Sequence, residues 1–458
     1  RPTADLVPDN PRLVPWGPGP RWDAARLEGV LAMTSVDEGT VGRRRFLQGS
    51  AALAGVAALG GTAVACAPQP GEVVRRGNAA EAGFDHIVVV MMENRSFDHF
   101  LGWLPGADGR QAGLTFLDGD GVAHDTHRLT EFAACDMEDP GHSVTAGRIQ
   151  YNDGRVDGFL RDAPDTFPIG YFEADQLLFW GEAAPAWTVC DNYFAATLGP
   201  TFPNRFFAHC GRTDRVTNTL EISTLPTIWD RLSDAGLEGR YYFSDAPFSA
   251  LLGLRHLFIT RTVEQFKQDA AAGRLPNVSF VDPRFLIPTP FGTSADYHPV
   301  SDIRAGCAFL HEIYEAVTRS PNWERTVLVV NFDEWGGFYD YVVPTEGPDA
   351  DPNTALRGFR VPCLVASPLA KRGHVAHDLY DHTSVLKMIE WAWDLPALAP
   401  RDAAANNLAD VLDLGGTPDL DVHRWSLPEF QIQDCSTTWL DSIWRRVVAS
   451  AKTQGFPV

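Results

Sequence analysis

The chain has 458 residues, of which 45% are hydrophobic and 21% are charged, so it can bury one large core or two ordinary ones. It carries 38 Lys+Arg against 59 Asp+Glu, a formal net charge of -21. This acidic balance argues against a nucleic-acid partner, which needs clustered positive charge, but leaves room for a locally bound cation.

The first patterned segment has the features of an export signal. Three arginines at 43–45 precede the dipeptide "FL", and an apolar run of small residues follows at 51–65. A charged start, a short apolar run and small residues before a cleavage point are typical of a signal peptide, here of the twin-arginine type. The run is too short and too weakly apolar to span a bilayer. We therefore expect residues 43–66 to be a signal peptide and the protein to be secreted or associated with the cell envelope.

The residues around this signal lead to two further expectations. Residues 1–42 are rich in Pro and unpatterned, so we expect them to be non-native or untranslated and Met33 to be the true start. Cys66 follows "TAVA", so simple cleavage and a lipid anchor at Cys66 are equal alternatives. The later cysteines lack metal-binding spacing, which leaves disulfide pairing and burial as free thiols both open. They are Cys135, Cys190, Cys210, Cys307, Cys363 and Cys435.

From Phe84 onward the pattern is that of an α/β fold. The segments "HIVVVMM", "TVLVVNF" and "VPCLVAS" are continuous apolar runs, typical of parallel strands buried on both faces. Helical patterns alternate with them in "TIWDRLSDAG", "IRAGCAFLHEIYEAVTRS" and "HTSVLKMIEWAWDL". We predict a doubly wound, mainly parallel sheet flanked by helices over residues 80–400, with Gly- and Asp-rich loop insertions at 102–165. Residues 401–458 are predicted to be a tail packed on that core.

Oxygen-bearing side chains follow two of the predicted strands. Glu93 and Asn94 come after the first run, and Asp333 and Glu334 come after the second. In an open α/β sheet, ligands collect at the carboxyl ends of the strands. One acidic pair alone is more typical of a turn, but two such pairs in one sheet favour a metal site. Oxygen ligands fit Ca²⁺, Mg²⁺ or Mn²⁺, and Zn²⁺ or Fe remain alternatives.

The segment "LGPTFPNRFF" contains a candidate nucleophile. Pro203 suits the first turn of a helix, so Thr201 is expected just before a helix N-terminus, where free N–H groups and the helix dipole attract an anion. A Thr hydroxyl becomes a nucleophile when a metal ion lowers its pKa. Considered alone, an N-cap role for Thr201 would be the more common one.

Two histidines lie in polar loops, His142 in "EDPGHSV" and His298 in "SADYHPVSD". A loop histidine is usually only solvated, but each could stabilise charge on a phosphoryl group or protonate a leaving oxygen. His382, in "YDHTS", opens a predicted helix close to a strand end. The other histidines lack such a context.

Seven segments together resemble one known family. They are "FDHIVVVMMENRSFDHFLGWLPG", "DPGHSV", "CDNYFAATLGPTFPNRFF", "LPNVSFVDPRF", "DYHPVSD", "NFDEWGGFYDYVVP" and "RVPCLVASPLAKRGHVAHDLYDHTSVLKMIEW". They occur in the order found in the bacterial phosphoesterase family, which contains phosphatidylcholine-type phospholipases C and related acid phosphatases. The resemblance runs from Phe84 to Trp393 and implies an alkaline-phosphatase-like fold.

The resemblance also implies roles for individual residues. One divalent metal ion would be held by Glu93, Asn94, Thr201, Asp333 and Glu334. Thr201 would be the nucleophile, and His142 and His298 would contact the phosphoryl group. A further histidine of the family has no secure counterpart, His256 being a weak candidate. Trp335 and Tyr341 stand where the family often has His, so the wall of the substrate pocket is expected to differ.

The expected activity follows from the same resemblance. Because Thr is the nucleophile in the family's phospholipases, we expect a phospholipase C-like phosphodiesterase that works through a phospho-threonine intermediate. The alternative is an acid phosphatase, and a low-ranked alternative is a non-catalytic envelope-binding protein. The expected partner is a phosphate ester or phospholipid, with peripheral membrane contact and no nucleic acid; the oligomeric state is left open.

Overall fold

Two valine-rich segments form the centre of one large sheet in the computed structural model of the chain, which describes residues 78–286 and 294–435. The predicted signal peptide, the Met33 start and the lipid site at Cys66 lie outside these residues. The strands are β1 (His86–Met92), β2 (Thr115–Leu117), β3 (Ala123–Asp125), β4 (His127–Arg128), β5 (Gly170–Tyr171), β6 (Thr188–Cys190), β7 (Tyr193–Phe194), β8 (Gly239–Phe243), β9 (Thr260–Thr262), β10 (Val278–Val281), β11 (Thr326–Phe332), β12 (Cys363–Ala366), β13 (His374–Ala376) and β14 (Tyr380–Asp381).

The α-helices of the described residues are α1 (Asn78–Ala82), α2 (Phe97–Leu101), α3 (Val144–Tyr151), α4 (Trp180–Ala186), α5 (Thr201–Cys210), α6 (Ile228–Asp234), α7 (Val263–Ala271), α8 (Ile303–Thr318), α9 (His382–Trp393) and α10 (Pro400–Ala404). The three helical patterns predicted from the sequence are confirmed as α6, α8 and α9. Within the described part of the chain, none of these helices is long and apolar enough to cross a membrane.

Eight strands pair in the order β13-β6-β12-β11-β1-β10-β8-β9. The central strands β1 and β11 are buried along their whole length, as their unbroken apolar runs predict. They pair in parallel, from His86 opposite Thr326 to Met92 opposite Phe332. The sheet is mostly parallel and flanked by helices, which confirms the predicted α/β fold class.

Strand β12 corrects one expectation, since "VPCLVAS" was predicted to be a parallel strand. It runs antiparallel to both of its neighbours, β11 and β6. A continuous apolar run indicates that both faces of a strand are buried, but it does not indicate whether the strand runs parallel or antiparallel to its neighbours. The described chain between β11 and β12 contains no helix that could cross back over the sheet, so β12 starts at the edge where β11 ends.

Helices cover both faces of the sheet, as two successive tyrosines of β8 demonstrate. The Tyr241 ring packs on Trp229 of α6, with ring centroids 6.2 Å apart. The Tyr242 ring packs on Phe266 of α7 on the opposite face, with centroids 5.1 Å apart. Side chains of adjacent strand residues point to opposite faces, so α6 and α7 belong to different layers.

A second, smaller core lies under the loops beyond the carboxyl ends of the strands, and it includes Trp335. This side chain is fully buried, and its Nε1 donates to Gln150 Oε1 at 2.8 Å. The indole thus packs against α3 inside the protein, and the expectation that Trp335 and Tyr341 change the pocket wall stays a prediction. The hydroxyl of Tyr341 lies on Asp108.

The C-terminal part of the described chain lies on the sheet and its helices. Leu408 and Val411 are buried in the main core, and Trp425 packs on Tyr314 of α8. A disulfide joins Cys135 to Cys435, which resolves the pairing that the sequence left open. The free cysteines of the described residues are all buried, and they are Cys190, Cys210, Cys307 and Cys363.

Candidate active site

The polar side chains that follow β1 and β11 meet at one edge of the sheet. The register ends with Met92 opposite Phe332, so Glu93 and Asp333 leave the sheet side by side. The backbone N–H of Asn94 donates to Asp333 Oδ1 at 3.2 Å, and its Nδ2 donates to Glu334 Oε1 at 2.6 Å. The two predicted pairs are therefore brought into direct contact.

Backbone geometry at this junction requires particular residue types. Asn94 has a φ of 61°, in the left-handed region that Asn tolerates better than most residues. Gly336 has a φ of 66°, and a Cβ atom there would lie 2.2 Å from the backbone oxygen of Asn94. Glycine is thus needed where the second acidic loop crosses the first.

Thr201 reaches this cluster from α5. Its Oγ1 donates to Glu93 Oε2 at 3.3 Å. Thr201 is the first residue of the helix and Pro200 is the cap, which corrects both the placement just before the helix and the alternative of an N-cap role. The N–H of Phe202 donates to Asn218 Oδ1 at 2.8 Å and Pro203 has no N–H, so these two residues offer no free amide to an anion. The helix terminus contributes less than expected.

Arg205 and Asp282 belong to the same cluster, although the sequence reasoning missed both. Arg205 lies one helical turn beyond Thr201, and its Nη2 is 2.8 Å from Glu93 Oε1. Its Nη1 donates to Asp282 Oδ1 at 2.9 Å. Asp282 directly follows β10, the other neighbour of β1. The rule that revealed Glu93 and Asp333, a polar residue at a strand end, could have found it.

Burial and mutual repulsion dominate the electrostatics of this cluster. Burial raises the pKa of Glu93 well above its ordinary value, the charge of Asp333 adds to the increase, and Arg205 opposes it. The pKa of Glu334 is also raised well above normal, by burial and then by Asp333. Burial raises the pKa of Asp333, against Arg205, and raises that of Asp282 to about 6. Four buried carboxyl groups therefore share this cluster with the guanidinium of Arg205, which leaves a deficit of positive charge.

The residues present fit a bound cation. Among the described residues, the buried atoms Asn94 Oδ1 and Asp333 Oδ2 have no hydrogen-bond partner, which is uncommon in a folded protein. Carboxylate and amide oxygens are the ligands that hard divalent ions prefer. The same two residues are among those predicted as ligands, together with Glu93, Thr201 and Glu334.

The predicted histidines lie together above this cluster. The rings of His142 and His298 are 5.7 Å apart and nearly perpendicular. Asp139 lies between them, 3.9 Å from His142 Nδ1 and 3.9 Å from His298 Nε2. Ligand atoms of these three residues all lie within 4.8 Å of one another, so they could also hold a metal ion.

Asp296 connects the histidine loop to the acidic cluster. Its backbone oxygen accepts from the N–H of Glu93 at 2.9 Å, and its Oδ1 accepts from the N–H of His298 at 2.8 Å. Arg95 also holds this loop, since its Nε and Nη2 donate to Tyr297 O at 2.8 and 2.6 Å. His298 thus has a fixed position relative to the strand ends.

Two further histidines differ in whether they contact the acidic cluster. His382 Nε2 is 2.6 Å from the backbone oxygen of Asp333, and burial lowers its pKa to about 4, so a neutral ring donates to that carbonyl and supports the acidic loop. His256 is instead hydrogen-bonded to Thr227, at 3.2 Å, and lies 3.9 Å from Asp230.

Comparison with known proteins identifies the family of this chain. Residues 84–396 match the Phosphoesterase family. The chain is 31% identical over 395 residues to Non-specific phospholipase C1 of Arabidopsis thaliana, covering 76% of this chain and 74% of that protein. It is 28% identical over 422 residues to Phospholipase C B of Mycobacterium tuberculosis (strain ATCC 25618 / H37Rv), covering 73% and 78%.

Similar solved structures include a protein in the alkaline phosphatase superfamily from Vibrio parahaemolyticus, with 11% identity and a TM-score of 0.34 over 69% of each chain. Another is the lipoteichoic acid synthase LtaP from Listeria monocytogenes, with 7% identity and a TM-score of 0.39 over 73% of this chain and 78% of that one. The family match covers most of the residues that form the sheet and its strand-end cluster. The chain belongs to the Phosphoesterase family, as its ordered motifs predicted, and is a hydrolase acting on phosphoric esters.

Proposed function

We propose that this protein is a metal-dependent, phospholipase C-like phosphodiesterase with Thr201 as its nucleophile. The observation that carries the proposal is the contact of the Thr201 hydroxyl with Glu93, inside a cluster of buried oxygen ligands. The relatives named phospholipase C, at 28 to 31% identity, support a diester substrate. All five predicted ligand residues are present, which disfavours a non-catalytic binding protein.

One divalent ion would be held by five residues, which are Glu93, Asn94, Thr201, Asp333 and Glu334. Such an ion, whether Ca, Mg, Mn, Zn or Fe, would neutralise phosphoryl charge and lower the pKa of the Thr201 hydroxyl. Arg205 supplies part of the compensating charge: burial alone would lower its pKa, but Asp282 and Glu93 raise it above its ordinary value. It therefore stays protonated and holds Glu93 in place.

The reaction proceeds in two displacements. Thr201 Oγ1 attacks phosphorus, and its proton leaves along the hydrogen bond to Glu93 Oε2. The bond from phosphorus to the diacylglycerol oxygen breaks, and His298 protonates that oxygen. Water then attacks phosphorus and gives a proton to His298, the bond from phosphorus to Thr201 Oγ1 breaks, Glu93 returns its proton to Oγ1, and the phosphorylated head group leaves. His142 and the dipole of α5 stabilise the negative charge on the phosphoryl oxygens.

Replacement of the nucleophile tests this proposal. Thr201→Ala should reduce hydrolysis of phosphatidylcholine by about 10²-fold or more, because no oxygen remains to attack phosphorus. Thr201→Ser is the matched control and should retain most of the activity, since it keeps the hydroxyl. Steady-state rates and thermal unfolding of both variants give the comparison. Turnover of Thr201→Ala at the wild-type rate would remove the proposed nucleophile.

A monoester assay distinguishes the proposed activity from that of an acid phosphatase. Wild-type protein, measured after chelation and after metal add-back, should cleave phosphatidylcholine faster than p-nitrophenyl phosphate. The opposite preference would reassign the protein as a phosphomonoesterase of the same family.

Export through the segment at 43–66 is part of the proposal. The disulfide between Cys135 and Cys435 supports it, because disulfides persist in oxidising compartments outside the cytosol. Cleavage or lipid attachment at Cys66 would then decide between release and anchoring.

A further inference from the structure

Large apolar side chains are exposed on two neighbouring segments of the surface. The most exposed are Phe258, with 85% of its surface accessible, and Leu220, with 78%. We call the full set the apolar rim: Leu220, Ile222, Leu254, Leu257 and Phe258. Clustered exposure of this kind is uncommon on a protein surface without a binding role, whereas single exposed apolar residues are ordinary.

Hydrogen bonds connect the two segments of the apolar rim. The N–H of Ser223 donates to Leu251 O at 2.8 Å, which joins the stretches just beside Ile222 and Leu254. Arg255 Nη2 donates to Leu225 O at 3.1 Å and gives a second connection. The rim therefore forms one surface.

This surface borders the Thr201 site. Asn218, two residues before Leu220, accepts the hydrogen bond from the N–H of Phe202, the residue after Thr201. The Phe202 ring also packs on Phe248, with centroids 5.2 Å apart, in the short helical turn that precedes Leu254. Both halves of the rim are thus anchored on the first turn of α5.

The charges on the rim are mixed, and one arginine lies beside its most exposed ring. Residues 254–262 contain Arg255 and Arg261; Arg255 pairs with Asp230 at 2.8 Å, and Glu221 lies between Leu220 and Ile222 in the other segment. Arg261 Nη1 donates to the backbone oxygen of Phe258 at 3.0 Å, so a guanidinium lies beside the most exposed ring. Exposed apolar side chains with Arg261 beside them match a phospholipid surface, where phosphates lie above acyl chains.

We propose that the apolar rim docks the protein on a phospholipid bilayer, with Phe258 and Leu220 entering the acyl region and Arg261 at the phosphates. This inference rests on the proposed function, since docking here would present head groups to Thr201. A bilayer, rather than a second copy of the chain, accounts for a surface that borders the proposed site of phospholipid hydrolysis and has Arg261 beside its most exposed ring.

Vesicle binding measured without turnover tests the proposal. The full-length protein carrying Thr201→Ala is sedimented with vesicles of equal parts phosphatidylcholine and phosphatidylglycerol. Adding Leu220→Ser and Phe258→Ser should weaken binding about tenfold or more, because two large apolar groups no longer enter the bilayer. The matched control replaces Leu117 and Leu420, each 53% exposed on other segments, with Ser and should bind like the parent. Arg261→Gln should weaken binding about fivefold and reduce its dependence on salt.

Activity measurements separate docking from chemistry. With Thr201 intact, the Leu220→Ser and Phe258→Ser double variant should hydrolyse monomeric short-chain phosphatidylcholine like wild type and should lose activity on vesicles. Unchanged vesicle binding in the rim variant, or equal loss in the Leu117 and Leu420 control, overturns the proposal. So does a wild-type dimer that the rim variant dissociates while vesicle binding stays the same. If wild type binds vesicles through the rim but cleaves no phospholipid, docking stands and the proposed function fails.

Discussion

The protein buries two clusters of carboxyl groups around an arginine, and they differ in charge balance. In the strand-end cluster, Arg205 pairs with Glu93 and Asp282, and the charges of Asp333 and Glu93 act on Glu334. In the second cluster, Arg360 Nε donates to Asp340 Oδ1 at 2.9 Å and its Nη2 lies 3.3 Å from Asp98 Oδ1. The first cluster has four carboxyl groups for one guanidinium, and the second has two.

The clusters also differ in how their oxygen atoms are satisfied. Asp98 accepts from the backbone N–H groups of Arg110 and Tyr341 at 2.7 and 2.9 Å, and Asp340 accepts from that of Val342 at 3.0 Å. In the strand-end cluster, Asn94 Oδ1 and Asp333 Oδ2 have no such donor among the described residues. A paired and hydrogen-bonded cluster holds loops together, whereas a cluster short of positive charge needs a cation. The two arrangements therefore predict opposite responses to equivalent substitutions.

The largest expected effect is that of Asp333→Asn, compared with Asp340→Asn. Asp333→Asn should lower activity by about 10²-fold or more and remove tightly bound metal, because one ligand oxygen and one charge are lost. Its fold should persist, since a repelling carboxyl group has been removed. Elemental analysis and rates on phosphatidylcholine measure both quantities.

Asp340→Asn provides the contrast. It leaves the buried Arg360 with less compensation, so the free energy of unfolding should fall by about 3–5 kcal/mol while metal content per folded molecule is retained. Denaturant unfolding measures the loss. If the two variants lost metal equally, the distinction between the clusters would be wrong.

Metal removal tests the same difference between the two clusters, with a smaller expected change in stability. Chelation should lower wild-type stability by about 2.7 kcal/mol if the ion was present at about 100 times its dissociation constant. Asp340→Asn should lose a similar amount, and Asp333→Asn should be insensitive to the chelator. Thermal unfolding with and without EDTA is the measurement. A chelator effect that persists in Asp333→Asn would place the ion elsewhere, for example at Asp139, His142 and His298.

The second cluster should produce a pH dependence of its own. Burial, and then the charge of Asp340, raise the pKa of Asp98 to about 8, against about 3.9 in an unfolded chain. The folded state keeps a proton that the unfolded state releases, so this group makes stability fall as pH rises from about 4 to about 8, by at most about 1.4 kcal/mol per pH unit. Above the pKa of Asp98 in the folded state, this group no longer changes the stability with pH.

Asp98→Asn should remove this slope, because an amide mimics the protonated carboxyl group and does not titrate. The free energy of unfolding of this variant relative to wild type should therefore increase between pH 5 and pH 8, as measured by urea titrations at each pH. Asp153→Asn is a matched control, since the Asp153 side chain is 94% exposed, and it should keep the wild-type slope. Parallel curves for wild type and Asp98→Asn would exclude Asp98 as the source.

Much of the candidate site could be predicted because its residues follow short sequence patterns that identify strand ends and helix starts. Two pairs, Glu93-Asn94 and Asp333-Glu334, follow recognisable strands. Thr201 lies at the start of a helical segment, one residue further into the helix than predicted. Arg205 could not be singled out, since an arginine in a helix is ordinary until the fold places Glu93 and Asp282 on either side of it. The direction of β12 was predicted wrongly because burial leaves the same sequence pattern in either direction.

The sequence alone therefore determined the α/β class and the family, and it predicted the candidate ligands at the strand ends. These depend on short-range periodicity and on residue types at fixed places along the chain. Tertiary structure alone decided that Met92 stands opposite Phe332, that Arg205 bridges two carboxyl groups, and that Cys135 pairs with Cys435. The physical reason is that register, ion pairing and burial belong to the whole packed molecule, where residues far apart in sequence share one low-dielectric space.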